Sequence, residues 1–237
     1  MKSRLWFVDF LRTLALCLMV LYHLIYDLDQ WTNLNVQVNT PFWFVIGKTA
    51  ALLFIFLSGF SYGLSKSTLK NSLKILFFAS IITLVTYVLF PEQYIRFGIL
   101  HFLGTMMLLF PIFKKIPTPI LGLGALIVFT FSFIISDILV EGPWLLPLGF
   151  MYRGFVTMDY FPLIPYSGVT FLGIITFRLL EPKLKEKRSS LPHDQTQVKK
   201  LHSSVAWISS HSLLIYLIHQ PILLSIIFIL KKFTPKF

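Results

Sequence analysis

One cysteine among 237 residues, Cys17, rules out an intrachain disulfide, and no spaced set of Cys and His offers a metal site. Charge is scarce too: 13% of residues are Asp, Glu, Lys or Arg, 56% are hydrophobic, and the mean hydropathy is +0.76. A soluble domain of this length does not tolerate so apolar a composition. No internal repeat is present, which removes the main sequence support for an inverted-repeat transporter. Nor does a small-residue cleavage site follow the first apolar segment, which is too long for a signal-peptide core and is expected to stay in the membrane. The net charge of +11 does not imply nucleic acid, because Lys and Arg fall in short runs between apolar segments, as topology signals do.

What is present is a series of apolar runs. Since about 20 residues at 1.5 Å rise cross the hydrocarbon, the chain reads as an all-α, polytopic transmembrane bundle of about seven spans. They lie near 5–28, 42–64, 73–90, 97–113, 118–140, 162–180 and 205–230. Pro91, Pro117, Pro119, Pro143 and Pro162 fall at or near the span ends, where a missing amide donor does least harm. With the N-terminus cytoplasmic, fourteen of the 21 Lys and Arg face the cytoplasm and five the other side, a clear positive-inside bias. The expected organisation is one membrane-embedded domain, 1–237, with a flexible cytoplasmic loop at about 181–203.

Polar residues inside the spans narrow the function. The first run carries Asp9, Arg12, His23 and Asp27, and a charge at membrane depth costs on the order of 2.5 kcal/mol or more unless it faces a polar cavity. His23 falls about 27 Å along its helix, at the outer edge of the membrane. Asp27 follows one turn later, at a spacing that lets a carboxylate fix an imidazole tautomer. His101 and Arg96 start the fourth span on that side, Asp159 closes the loop before the sixth, and Pro162 with Pro165 should hold that entry partly unwound. His219, next to Gln220 and Pro221, falls about 21 Å from the inner side of the last span. Three histidines and two aspartates from four helices are thus expected at one level, although each alone is more often structural. Asp9 and Arg12 either neutralise each other or leave Arg12 to bind an anionic group, to which guanidinium geometry suits phosphate. Lys48 either snorkels or lines the same cavity. The small residues of FIFLSGFSYGLS let another helix approach closely, with a ligand passage as the other use.

The motifs VDFLRTLALCLMVLYHLIYDL, FIFLSGFSYGL, FGILHFLG, DYFPLIPYSGV and HSLLIYLIHQP together resemble the heparan-α-glucosaminide N-acetyltransferase catalytic-domain family, particularly its small bacterial membrane members. The resemblance covers nearly the whole chain. It implies an integral enzyme of a bacterial cytoplasmic membrane that takes an acyl group from cytoplasmic acyl-CoA, acetyl-CoA in the first instance, and delivers it to an extracytoplasmic acceptor, typically a sugar. Thr13 departs from the pattern, since glycine usually follows the Asp-x-x-Arg motif. The lysosomal enzyme has a larger body, so its amino-sugar substrate is not carried over.

Acyl transfer needs a base for the acceptor proton, a donor for the developing oxyanion and a route for the thioester. His23, oriented by Asp27, is expected as base or transient acyl carrier, with His101 or His219 serving the oxyanion. Asp159, Arg96 and Gln220 are assigned to the acceptor, and Arg12, with Asp9 and Lys48, to the coenzyme A side. The expected partners are acyl-CoA, an envelope glycan or other hydroxyl or amine acceptor, and membrane lipid, with a homo-oligomer left open; no metal and no nucleic acid is expected. Two other classes stand beside this one: a proton-coupled transporter or translocase of a lipid-linked or sugar solute, since intramembrane His and Asp also build proton relays, and a non-catalytic membrane subunit.

Overall fold

The computed structural model describes residues 5–34, 36–64, 67–189 and 199–233. Among them the chain forms eight α-helices and no β-strand: α1 (Trp6–Trp31), α2 (Pro41–Phe60), α3 (Thr68–Leu89), α4 (Ile99–Phe113), α5 (Thr118–Ile135), α6 (Leu163–Ser189), α7 (Lys199–Ser210) and α8 (Ser212–Phe233). Six are long and apolar enough to cross a membrane: α1, α2, α3, α5, α6 as far as Pro182, and α8. Their outward faces are apolar, with Val88 on α3 71% exposed and Phe133 on α5 79% exposed, as hydrocarbon-facing surfaces are. The helix α4 has 15 residues, about 22 Å of rise against about 30 Å of hydrocarbon. Contacts divide the chain into two units, Met1–Phe54 with Lys187–Phe237, and Ile55–Glu186.

In the first unit α1 and α8 run parallel. Leu16 and Met19 pack with Ile215 and Tyr216, His23 with His219, Asp27 with Gln220 and Trp31 with Phe228, and Lys231 Nζ donates to the Trp31 carbonyl at 3.1 Å. With the shorter apolar α4 the six candidate spans come to about seven. Ala50 of α2 joins the Leu16 and Met19 cluster, and Gly47 lies against the Tyr22 ring.

Two boundaries differ from the sequence expectation. The helix α6 continues past Pro182 through Lys183–Ser189, because KLKEKRS is rich in good helix formers; of the expected loop, residues 190–198 lie outside the described residues. The last apolar run is not one helix over 205–230 but breaks at His211 between α7 and α8. There the Ser210 hydroxyl (2.7 Å) and His211 Nδ1–H (2.8 Å) both donate to the Trp207 carbonyl, side-chain competition for helix backbone that serine and histidine can supply. His219 therefore lies about two turns into α8.

In the second unit, glycines set how close the helices come. A Cβ on Gly59 would fall on the Thr170 carbonyl oxygen, and one on Gly173 would fall on the Phe56 carbonyl oxygen, so the end of α2 and the middle of α6 touch backbone to backbone. The small-residue stretch thus serves packing. Ile164 leaves the helical region (φ −103°, ψ 122°) at the entry of α6, the partly unwound start expected of a residue that precedes proline. At the α4–α5 turn the Arg178 guanidinium donates to the carbonyls of Phe113 and Ile116 (both 2.7 Å), to Thr118 Oγ1 (3.2 Å) and to the Tyr62 hydroxyl (2.8 Å). Gly59→Ala is expected to lower stability by about 1–3 kcal/mol through overpacking, whereas Gly124→Ala, whose Cβ would meet only Phe171 at ordinary contact distance, should be tolerated; thermal unfolding of the purified variants in detergent checks both.

Candidate functional site

Helix α1 carries Met19, His23 and Asp27 at successive turns of one face, and α8 meets that face with Tyr216, His219 and Gln220. His23 Nδ1–H donates to the Met19 carbonyl one turn back, at 2.9 Å. His219 Nδ1–H does the same to the Tyr216 carbonyl at 2.6 Å. A carbonyl only accepts, so each hydrogen bond fixes the proton on Nδ1 and leaves Nε2 with its lone pair outward. The rings meet edge to face, with centroids 4.9 Å apart. His219 is 8% exposed, and its Nε2 has no hydrogen-bond partner among the described residues.

Asp27 does not orient His23 as the spacing suggested. The imidazole prefers the carbonyl behind it, and the Asp27 carboxylate, 1% exposed, takes both its hydrogen bonds from Gln220 Nε2, at 2.8 and 3.0 Å. A carboxylate that accepts from the amide nitrogen fixes which end of Gln220 is which, so Oε1 is the outward end; it too is buried without a partner. Three hydrogen-bond acceptors of fixed polarity, His23 Nε2, His219 Nε2 and Gln220 Oε1, therefore belong to one pair of helices. Such atoms call for a ligand that brings N–H or O–H groups.

Lower on α1 the Asp9 and Arg12 pair is completed from α7. Ser209, absent from the sequence reading, donates its hydroxyl to Asp9 Oδ1 at 2.6 Å and accepts from Arg12 Nη1 at 3.1 Å, with Arg12 and Asp9 themselves 4.0 Å apart. Thr13, where glycine was the usual residue of the resembled family, donates to the Val205 carbonyl of α7 at 3.2 Å. Lys48 holds its ammonium 5.9 Å from the centre of the Phe44 ring, one turn back on α2.

The remaining predicted residues belong to the second unit, where they organise the start of α4. Asp159 Oδ2 accepts from the Ile99 amide at 2.9 Å, a helix N-terminus capped by a carboxylate from another segment, and only glycine at position 98 lets that oxygen approach. His101 Nδ1 accepts from the Gly98 amide at 3.3 Å. Its Nε2 donates at 3.2 Å to Thr83 Oγ1, whose own proton goes to the Ile95 carbonyl at 2.7 Å. Both ring nitrogens of His101 are thus engaged, unlike those of the other two histidines. Arg96 stacks on Tyr94 at 3.9 Å and donates to the Val156 carbonyl at 3.0 Å, joining the loops before α4 and α6. Burial pushes the Tyr160 hydroxyl up to about 12, which keeps it protonated and donating to the Leu146 carbonyl at 2.8 Å. Of the residues named from sequence, the structure brings together His23 with His219, Asp27 with Gln220, and Asp9 with Arg12, and it gives His101, Asp159 and Arg96 partners around α4.

A family model described as "Heparan-alpha-glucosaminide N-acetyltransferase, catalytic" matches residues 4–221. No curated protein and no solved structure matches the chain. No group of three or more His, Cys, Asp and Glu that could hold a metal occurs among the described residues.

Gln220→Leu strips the hydrogen bonds from the buried Asp27 carboxylate and is expected to cost about 1–3 kcal/mol, whereas the double variant Asp27→Leu/Gln220→Leu should lose less than the sum of the two single changes. Unfolding midpoints of the three variants in one detergent check the coupling; strict additivity would mean that the pair is not a unit.

Proposed function

Because the chain belongs to the heparan-alpha-glucosaminide N-acetyltransferase catalytic family, matched from residue 4 to residue 221, we propose that it is an integral-membrane acetyltransferase carrying acetyl from cytoplasmic acetyl-CoA to a hydroxyl or amine of an envelope glycan across a bacterial cytoplasmic membrane. The observation that carries this reading is the pair of facing imidazoles, His23 and His219, with both Nδ1 protons tied to carbonyls and both Nε2 lone pairs left for a substrate. An acceptor O–H or N–H is the group such lone pairs bind.

The chemistry follows from that polarity. His23 Nε2 takes the acceptor proton as the acceptor oxygen or nitrogen bonds to the thioester carbonyl carbon; the C–S bond then breaks, and the thiolate recovers a proton to leave as the free thiol. The Met19 carbonyl, already holding Nδ1–H, stabilises the imidazolium formed at this step. His219 Nε2 and Gln220 Oε1 hold further donors of the acceptor and so orient the attacking atom, and Asp27 positions Gln220. Arg12, held by Ser209 and Asp9, faces the anionic end of acetyl-CoA in this reading, and the basic bias of the cytoplasmic segments attracts that substrate. His101, Asp159 and Arg96 shape the entry of α4.

Acetyl-CoA consumption by the purified protein, read as released thiol in the presence of an envelope glycan fraction, tests the proposal. His23→Ala is expected to reduce turnover by at least about 100-fold, with an unfolding midpoint close to that of the parent. A parent protein that consumes no thioester but moves solute into liposomes against a proton gradient would instead be a transporter. Quenched labelling with radioactive acetyl-CoA and no acceptor separates the two chemical routes: label lost in His23→Ala marks an acyl-histidine, and no label marks direct attack.

A further inference from the structure

The α4–α5 turn carries a feature that acetyl transfer does not use. Pro111, Ile112, Lys115, Ile116, Pro117 and Ile120 line an open apolar groove of about 460 Å³. Lys115, which lines it, and the neighbouring Lys114 are exposed, and neither ammonium has a hydrogen-bond or ion-pair partner among the described residues. On the inner side of the same turn, Arg178 already supplies donors to the Phe113 and Ile116 carbonyls.

Two observations say what environment this groove meets. The helix α4 is apolar and, at 15 residues, about 8 Å shorter than the hydrocarbon is thick. At its C-terminal end the Phe113 carbonyl accepts from both the Ile116 amide and the Arg178 guanidinium, so this carbonyl is completed by the protein itself. An apolar groove beside two unpaired cations at the end of such a helix matches one class of molecule, whose hydrocarbon fills the groove while its phosphate reaches the lysines. We propose that the groove between the end of α4 and the start of α5 is a binding site for an anionic glycerophospholipid, with one acyl chain against Pro111, Ile112, Ile116 and Ile120 and the headgroup phosphate on Lys115 and Lys114. This site depends on the membrane-spanning architecture and not on the acetyltransferase reading.

Native mass spectrometry of the full chain, loaded with equal amounts of phosphatidylglycerol and phosphatidylcholine of the same acyl composition, tests it. The parent protein is expected to retain phosphatidylglycerol at least fivefold over phosphatidylcholine. Lys114→Gln/Lys115→Gln should bring the ratio to within twofold of unity, Lys114→Arg/Lys115→Arg should restore it, and Ile120→Trp should reduce retention of both lipids by filling the groove. Equal retention by the parent, or a preference that survives the double glutamine variant, would overturn the proposal. Displacement of phosphatidylglycerol by millimolar inorganic phosphate alone would assign the lysines to a free anion and overturn it as well. Both lysines are exposed, so unchanged unfolding midpoints should accompany the glutamine variant and exclude misfolding as the cause.

Discussion

Hydrocarbon offers no hydrogen bonds, so each polar atom these helices carry into the membrane has to be matched by the protein itself or by what the protein binds. That one constraint sorts the intramembrane side chains into two kinds. Asp9, Ser209 and Arg12 answer one another, as do His101, Thr83 and the Ile95 and Gly98 backbone. Asp27 is answered by the amide nitrogen of Gln220. What is left over in the first unit is a set of lone pairs, the buried Nε2 of His219, whose ring meets that of His23, and the buried Oε1 of Gln220. In the proposed reading these leftover atoms of the first unit are the ones that would meet a ligand, while in the second unit Ser58 Oγ and Thr170 Oγ1 are also buried without a partner.

The backbone is the agent that makes this selection. Side-chain pairing across helices is the intuitive way to orient an imidazole, yet both histidines on α1 and α8 are held by carbonyls of their own helix, three or four residues earlier. A helical carbonyl is present whatever residue carries it and costs no side-chain entropy to position. Its use here releases Asp27 to act on Gln220, and so one carboxylate sets the direction of an amide dipole that a lone glutamine would be free to reverse.

Much of this was legible in the sequence. Hydropathy located six long spans and the shorter α4, Pro91, Pro117, Pro119 and Pro162 fell at helix ends as their missing donors require, although Pro182 and Pro221 lie inside α6 and α8, and Pro162 with Pro165 gave the unwound entry at Ile164. Residue count put His23, His101 and His219 together at one level, and of these the structure brings His23 and His219 into contact. The identity of each hydrogen-bond partner was not legible. Nothing in the spacing of His23 and Asp27 distinguishes an i+4 carboxylate from an i−4 carbonyl, and the carbonyl wins because helix geometry always provides it. The equivalence of the three histidines also failed for a local reason: His101 sits in the first turn of α4, where an unsatisfied backbone amide is available to its ring, whereas His23 and His219 lie inside helices whose amides are already used. Ser209 and the break at His211 escaped notice because serines that compete for helix carbonyls look, in an apolar run, like any other small residue.

The polarity of the site bears on how a reaction there would end. An alcohol entering it presents protons to three atoms that hold only lone pairs. Once the alcohol has become an ester, its oxygen has no proton to give, and the neutral His23 Nε2 that held it faces an electron pair with an electron pair. Capture of the reactant and ejection of the product would then be two outcomes of one fixed arrangement of dipoles, with no moving part needed to tell them apart.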